Sequence, residues 1–349
     1  MAVRDQHYKP NFTEVKVTDK SIVATTYETD SLKVVDQVEI EKSTANKTNE
    51  NVQRISGENR VQTAIEVSKK MFMEGTNKVV LANQDNYSDV LTAAPFAKAN
   101  NASLLYISSN SISKEVMSEI SRLKAKEITI IGGEKSVHEG LKKELEKRNF
   151  KVDRLSGADR YKTSAKIAAK LIGDKTTTLE IASGENYADA LSLNNAAEKD
   201  KAPILLVRVN AIDKSVEDVI KSSKASLINI AGGEKSVSEN TKANIKKISN
   251  ATVNRMGGAN RYETSIILAK YSGAKEVVVV ASGENFADAL VAAPFSAKQN
   301  GAILLTNKEK LGQKAEQFIK DTKFNKSYVI GGEKSVSEDV INQLTSIIK

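Results

Sequence analysis

The chain has 349 residues, of which 40% are hydrophobic and 28% are charged, and its net charge at neutral pH is +8. It has no cysteine and only two histidines, which excludes disulfides and cysteine-zinc sites and leaves little material for a Ser-His-Asp triad or a metal centre. No apolar run approaches the roughly 18 residues of a transmembrane helix, and the first residues do not form a signal peptide. We therefore expect either an intracellular protein or a piece of a longer secreted one.

The first predicted elements are strands. Apolar and polar residues alternate from Phe12 to Lys42, which predicts three short antiparallel strands within residues 1–42. The following stretch, residues 43–53, is rich in Ser, Thr, Asn, Lys and Glu, and it is predicted to be a polar linker.

From residue 54 onward the chain consists of three copies of one unit. The block Arg-Leu-Ser-Gly-Ala-Asp-Arg-Tyr-Lys-Thr at residues 154–163 recurs with substitutions at 54–63 and 255–264. Three more blocks follow in the same order in each copy, typified by Asn-Tyr-Ala-Asp-Ala-Leu, Ile-Leu-Leu and Gly-Gly-Glu-Lys-Ser-Val. Four ordered blocks, repeated at steps of 100 and 101 residues, establish a triplication. The predicted modules 1, 2 and 3 span residues 54–153, 154–254 and 255–349.

Each module is predicted to alternate helices with strands. In module 1 the apolar spacing predicts helices over 61–72, 87–99 and 113–123 and strands over 78–82, 103–107 and 127–131. Ser136 and Glu139 have the spacing of a capping box that would open a fourth helix, ending at about residue 147. Strand-like links at 150–154 and 251–255 contain no flexible spacer, so rigid packing of the modules is expected. Apolar strands between helices predict a small doubly wound parallel sheet in each module.

The basic charge is spread evenly over the repeats. Modules 1, 2 and 3 have net charges of +3, +4 and +3, whereas residues 1–53 have −2. Such a distribution fits either a shared preference for an anionic partner or simple solubilisation by lysine. Nucleic-acid binding would require denser basic stripes with aromatic side chains, and aromatics make up only 5% of the residues.

Two repeated polar positions are candidate site residues. Asp89, Asp189 and Asp288 lie near the carboxyl end of a strand, where open α/β sheets bind ligands, but the helix dipole also favours an aspartate in a first turn. The asparagines three residues earlier are predicted to cap these helices. Arg60, Arg160 and Arg261 each stand between a glycine turn and a threonine, and they suit either an ion pair with the repeated aspartate or an anionic ligand.

The Gly-Gly-Glu-Lys-Ser block superficially suggests a phosphate-binding loop. That loop needs glycine directly before lysine, and here a glutamate would place negative charge beside the phosphate. We predict instead a strand-to-helix turn whose glycine adopts a positive φ. By periodicity the Ile-Leu-Leu strands belong to the core, and His138, which aligns with serines in the other modules, has no predicted catalytic role.

In these four blocks the chain closely resembles the cell-wall-binding repeat 2 family over residues 54–349. The resemblance implies three Toprim-like α/β modules that pack as a pseudo-threefold trimer within one chain. It also implies that the Ile-Leu-Leu motif contributes to polymer binding, which here means Ile204, Leu205, Leu206, Ile303, Leu304 and Leu305. Module 1 departs from the family pattern at Leu104-Leu105-Tyr106 and at Gln84-Asp85, so its binding competence is in question.

Residues 1–42 resemble the closing strands of a calcineurin-like metallophosphoesterase, whose metal ligands are absent from this chain. Together these resemblances imply a secreted, non-catalytic anchor without metal or cofactor, which holds an effector to the surface of a Gram-positive bacterium. Its expected partner is an anionic wall polysaccharide or a teichoic-acid-like polymer, and a monomer without a membrane span is expected. The alternatives are the targeting or regulatory part of a wall amidase or phosphoesterase, and an adhesion protein that binds another surface protein.

Overall fold

A computed structural model describes residues 10–18, 21–41, 50–86 and 91–348, which fall into two compact units, one up to Glu50 and one from Asn51 onward. The first unit is the predicted antiparallel sheet, with strand order β1-β2-β3. Its strands are β1 (Asn11–Val17), β2 (Ser21–Glu28) and β3 (Val34–Glu41). The register places Val15, Val17 and Val38 on one face, and all three side chains are at least half exposed.

The second unit contains the three repeats, and its elements agree closely with the predicted ones. The first repeat contains β4 (Val52–Ile55), α1 (Arg60–Met71), β5 (Lys78–Asn83), α2 (Ala93–Ala99), β6 (Ser103–Ile107), α3 (Lys114–Arg122), β7 (Glu127–Ile131) and α4 (Glu139–Lys147). The second contains β8 (Lys151–Leu155), α5 (Arg160–Leu171), β9 (Thr178–Ser183), α6 (Tyr187–Asp200), β10 (Ile204–Val207), α7 (Lys214–Ser222), β11 (Leu227–Ala231) and α8 (Glu239–Ile248). The third contains β12 (Thr252–Met256), α9 (Arg261–Ser272), β13 (Val277–Ser282), α10 (Phe286–Lys298), β14 (Ala302–Thr306), α11 (Gln313–Thr322), β15 (Lys326–Ile330) and α12 (Glu338–Ile347). Of the predicted helix over 87–99, residues 87–90 lie outside the described residues.

Each module has a four-stranded parallel sheet whose last strand is the first strand of a neighbouring repeat. The strand orders are β6-β5-β7-β8, β10-β9-β11-β12 and β14-β13-β15-β4. The third sheet is therefore completed by β4, which comes from the other end of the repeat region and pairs with β15 in parallel. Residues 52 and 53, assigned to the linker by sequence, belong to this strand. The three sheets thus close into a ring. Apart from residues 52 and 53, the predicted module boundaries stay predictions.

The centre of the ring is formed by the second helix of each repeat, α2, α6 and α10, which contact one another. The first helix of each repeat packs on the central helix of the preceding one: α5 on α2, α9 on α6, and α1 on α10. This head-to-tail packing gives the pseudo-threefold arrangement. Lys98 lies where the three central helices meet, because its Nζ is 3.1 Å from Glu198 Oε1 and donates to the Ala297 carbonyl at 3.0 Å.

The predicted capping box is wrong. The fourth helix begins at Glu139, and its N-cap is His138, whose Nδ1 accepts the Gly140 N–H; Ser238 and Ser337 are the N-cap residues in the other repeats. Glu139 instead forms an ion pair with Arg154 of β8 at 3.2 Å, and the equivalent pairs in the other repeats measure 3.0 and 2.8 Å. The glutamate therefore links the fourth helix of each repeat to the first strand of a neighbouring repeat through an ion pair.

Among the described residues, no helix is both long and apolar enough to cross a membrane.

Candidate functional site: the clefts between modules

The three candidate arginines occupy equivalent, fixed positions, since Arg60, Arg160 and Arg261 are the first residues of α1, α5 and α9. In module 3, Asn260 caps the helix, and the Gly258 N–H donates to the Thr264 hydroxyl at 3.1 Å. The same glycine-to-threonine bond measures 3.1 and 2.9 Å in modules 1 and 2. The spacing of glycine, arginine and threonine is therefore explained by a closed loop that sets the arginine at a helix N-terminus.

Each arginine reaches across the carboxyl end of its module's sheet to the carbonyl that follows the second strand of its repeat, which is β5, β9 or β13. The Nη1 donors of Arg60, Arg160 and Arg261 bind the carbonyls of Gln84, Gly184 and Gly283, respectively. Arg261 uses only Nη1 for hydrogen bonds within the described residues, and the Arg60 side chain remains 34% exposed. Within the described residues, the guanidinium groups of Arg60 and Arg261 are thus anchored through Nη1 and remain partly accessible.

The repeated aspartates on which two of these arginines act belong to the preceding module. Arg261 of module 3 acts electrostatically on Asp189 of module 2, and Arg60 of module 1 acts on Asp288 of module 3. Among the described residues, neither aspartate forms an ion pair within 4.0 Å. The structure therefore brings the two candidate positions together between modules without an ion pair between them. Asp89 lies outside the described residues.

Asp189 and Asp288 are buried and are held by the Gly-Gly-Glu-Lys-Ser loop of their own module. Asp189 Oδ2 accepts the Ser236 hydroxyl at 2.5 Å, and Ser335 plays the same part for Asp288. Burial raises the pKa of both carboxyl groups, opposed by the serine bond and the nearby arginine. The loop glycine Gly331 has φ +113°, and a Cβ there would lie 2.6 Å from Asp288 Oδ2. The predicted positive-φ turn is confirmed, and its close approach to the aspartate explains why glycine stands there.

An aromatic side chain, overlooked in the sequence, completes each described cleft. The Arg261 guanidinium lies 5.5 Å from the centroid of the Tyr187 ring, and that of Arg60 lies 5.6 Å from the Phe286 ring. These rings occupy the same place in the repeat block, two residues before the aspartate. We define the module 2–3 cleft as the group formed by Tyr187, Asp189, Arg261 and Glu284. The module 1–3 cleft is the equivalent group formed by Phe286, Asp288, Arg60 and Asp85.

The six Ile-Leu-Leu side chains are buried, with 0–1% of their surface exposed. Leu206 and Leu305 pack beneath the glycines whose carbonyls hold the arginines: a Cβ on Gly283 would lie 3.4 Å from Leu305 Cβ. Backbone bonds fix these strands, since the Leu305 N–H donates to Ser265 Oγ and Asn195 of module 2 binds both backbone groups of Ile303. A role of the motif in binding therefore remains a prediction, in which it shapes the cleft from below.

Module 1 departs from this arrangement through linked substitutions. Gly283 lies so close to Tyr262 that a Cβ there would approach its ring to 2.7 Å. In module 1 Gln84 replaces the glycine and the smaller Val61 replaces the tyrosine, so the added side chain meets a smaller neighbour. Tyr106, at the last motif position, is fully buried and donates its hydroxyl to the Ala287 carbonyl of module 3 at 2.8 Å. Its position thus strengthens an interface between modules.

Three α/β modules that close into a ring and place arginine, aspartate and aromatic side chains between them define a tandem-repeat binding protein. The cell wall binding domain 2 family matches residues 54–142, 154–242 and 255–341, and the chain belongs to this family.

Two relatives and two solved structures extend this result. The chain is 32% identical to the N-acetylmuramoyl-L-alanine amidase LytC of Bacillus subtilis (84% of this chain, 58% of the relative). It is 31% identical to the amidase enhancer of the same organism (83% of this chain, 40% of the relative). Cwp8 and Cwp6 from Clostridium difficile have TM-scores of 0.77 and 0.78 at 27% and 26% identity, and each match covers 99% of this chain. The matches cover 60% and 58% of those two chains, so this chain spans about 40–60% of the length of these relatives.

Proposed function

We propose that the chain anchors a secreted protein non-covalently to the Gram-positive cell wall by binding an anionic secondary wall polymer in the clefts between its modules. The observation that carries the proposal is the partly open arginine at the mouth of each described cleft. A guanidinium has five N–H donors in a planar fork, and such forks bind phosphate and carboxylate groups bidentately. Among the described residues only Nη1 of Arg261 makes hydrogen bonds, and its guanidinium group lies beside the Tyr187 ring, which suits a ligand with an anionic group beside a sugar face.

The repetition of the cleft supports a polymer rather than a small ligand. Equivalent arginines recur in all three repeats, and each repeat has a basic excess. Several weak contacts to one repeating chain add through effective concentration, so even millimolar single sites would give firm attachment. In this proposal the chain has no catalytic step of its own, needs no cofactor and acts as a monomer at the cell surface.

The test is retention on purified walls before and after the secondary polymer is extracted. We expect the wild-type chain to sediment with intact walls, to be released by salt, and to stay in solution with stripped peptidoglycan. The triple variant Arg60→Gln, Arg160→Gln, Arg261→Gln should stay in solution in both cases. Equal retention on intact and stripped walls would overturn the proposal, whereas retention abolished by a competing surface protein would favour adhesion.

A second function, targeting of a wall amidase, is favoured by the names of the two Bacillus subtilis relatives. We propose that in such a protein the clefts concentrate the enzyme on its insoluble substrate. Arg261→Gln placed in the complete enzyme should slow the hydrolysis of intact walls while leaving the hydrolysis of soluble wall fragments unchanged. A loss on both substrates would mean that these modules act in the reaction itself.

We also propose, from the resemblance of residues 1–42 alone, that this segment is the end of a metallophosphoesterase. Its support is a three-stranded sheet with exposed valines on one face, which is the form expected of strands that pack on further protein. Among the described residues no cluster of three or more His, Asp or Glu could hold a metal.

A further inference from the structure

Module 2 has a buried carboxyl group where the other modules have an apolar residue. Glu180 lies in the middle of β9 and is fully buried, and Asn229 lies beside it on β11. The Asn229 Nδ2 donates to Glu180 Oε1 at 3.0 Å. The equivalent pairs are Val80 with Thr129 in module 1 and Val279 with Tyr328 in module 3, so the fold itself does not require this acid.

The cluster around Glu180 joins module 2 to module 3. Asp200, the last residue of α6, accepts the Tyr271 hydroxyl from α9 at 2.9 Å and lies 3.3 Å from Asn229 Nδ2. Lys199 lies over the Tyr271 ring at 3.9 Å and donates to the Tyr271 carbonyl at 2.8 Å. The neighbouring strand β10 contributes only apolar residues. Among the described residues, the titratable groups that face Glu180 are thus Asp200 and Tyr271, with the Lys199 ammonium beyond the tyrosine.

The two carboxyl groups converge on one donor, because Asn229 Nδ2 contacts both Glu180 Oε1 and Asp200 Oδ2. Among the described residues, Glu180 Oε2 is buried and receives no N–H or O–H donor. Burial and the nearby Asp200 raise the pKa of Glu180 well above its usual range. A protonated Glu180 can donate to Asp200, whereas an ionised Glu180 would place a second negative charge in a dry site.

The same two helices carry this cluster at one end and the module 2–3 cleft at the other. Tyr187 and Asp189 lie at the N-terminal end of α6, and Asp200 is its last residue. Arg261 begins α9, and Tyr271 lies in its last turn. Because α6 and α9 pack against each other, with their N-terminal ends at the cleft and their C-terminal ends at the cluster, we expect a change in spacing at the cluster to alter the distance between Arg261 and Tyr187.

We propose that the proton held between Glu180 and Asp200 keeps the module 2–3 cleft in its binding geometry, so that alkaline pH weakens polymer binding at this cleft. The inference rests on the proposed function of the clefts. The direction follows from linkage: an acid whose pKa is raised by folding stabilises the folded form below its unfolded pKa. That stabilisation is lost as the pH rises towards the folded pKa. In the folded protein the proton is lost only as the pH rises through the raised pKa of Glu180, so binding at this cleft should be strongest below that pKa and decline above it.

The variant Glu180→Gln tests the proposal, since its amide can donate to Asp200 at every pH. The affinity for purified wall polymer is measured by calorimetry from pH 5 to pH 9, and the midpoint of urea unfolding is measured over the same range without polymer. Wild-type affinity should fall by about tenfold more than that of Glu180→Gln, which corresponds to about one pKa unit of coupling. The double variant Glu180→Val, Asn229→Thr copies the module 1 pair and should also lose the pH dependence.

Two results would overturn the proposal: parallel affinity profiles for wild type and Glu180→Gln, or unfolding midpoints whose difference does not change with pH. Failure of the proposed function is distinguishable, because the wild type would then bind polymer at no pH. In that case the urea midpoints alone decide whether the proton holds the two modules together.

Discussion

The module 2–3 and module 1–3 clefts are built from equivalent positions of the same repeat. Among the described residues, however, the arginine lies at ion-pair distance from a carboxylate only in the module 1–3 cleft. In the module 1–3 cleft Asp85 Oδ1 lies 3.5 Å from Arg60 and partly neutralises it. In the module 2–3 cleft the equivalent acid, Glu284, is held by the Asn307 amide at 2.9 Å, and no ion pair to Arg261 forms within the described residues.

The aromatic partner differs as well. Tyr187 donates its hydroxyl to the Glu284 carbonyl at 2.8 Å and lies 3.4 Å from Arg261 Nη1, so it ties the two modules together. Phe286 has no hydroxyl for this purpose, and the module 1–3 interface uses the buried Tyr106 instead. Small changes around an invariant arginine therefore decide how much of its charge is available to a ligand, and we expect the module 2–3 cleft to be the stronger site.

The largest effect expected is on polymer affinity when single arginines are removed. Arg261→Gln should weaken binding about tenfold, because a charge-assisted hydrogen bond contributes roughly 1.5–3 kcal/mol. Arg60→Gln should weaken it only about threefold, because Asp85 already satisfies part of that charge. Calorimetry with soluble polymer fragments measures both variants, and an equal or reversed order would contradict the expected difference between the two clefts.

The aromatic partner should have the next largest effect. Tyr187→Phe removes the hydroxyl that bonds to Glu284 and Arg261, and it should lower affinity about fivefold, equivalent to about 1 kcal/mol for a lost hydrogen bond. The reciprocal change Phe286→Tyr is the matched control and should raise or preserve affinity. Reduced affinity in both variants would show that ring packing alone, rather than the hydroxyl, determines the cleft.

Tyr106 should matter for stability and little for binding. Tyr106→Phe keeps the buried ring and removes the bond to Ala287, so the free energy of unfolding should fall by about 1 kcal/mol. Urea unfolding followed by circular dichroism measures this change. A normal unfolding midpoint combined with weak polymer binding would instead place Tyr106 in the ligand site.

The smallest effect is expected from Asp85→Asn, which leaves the shape of the module 1–3 cleft unchanged and removes the charge facing Arg60. Affinity should rise about twofold, in line with the small energies of exposed ion pairs. Glu284→Gln in the other cleft should have little effect on Arg261. Polymer titration at low ionic strength checks both, and a fall in affinity for Asp85→Asn would mean that Asp85 contacts the ligand.

Most of the fold could be predicted because the signals are local and occur three times. The apolar strand over 103–107 and the glycine turn at Gly331 each appear in a short window of sequence. The partner of β4 could not be predicted, since a strand of four residues carries no information about which distant edge it joins. The capping box was wrong because the helix begins at Glu139 with His138 as its N-cap, so Glu139 is the first helical residue and pairs with Arg154.

The candidate site could be predicted only in part, because its residues come together between modules. The repeated arginines and aspartates could be found by comparing the copies, but their pairing across modules depends on the ring. In the sequence Tyr187 and Phe286 have the pattern of ordinary helix residues. Only the structure shows that each ring lies beside an arginine of a neighbouring module. Glu180 stands in a strand of otherwise small and apolar residues, and the sequence alone cannot show whether its side chain is buried or exposed.

The most direct test of this account is calorimetric titration of wild type and the Arg261→Gln variant with purified anionic wall polymer at two salt concentrations. Wild-type affinity should fall steeply with salt, and Arg261→Gln should bind about tenfold more weakly at low salt, with a shallower salt dependence. Identical affinity of the two proteins at both salt concentrations would contradict it.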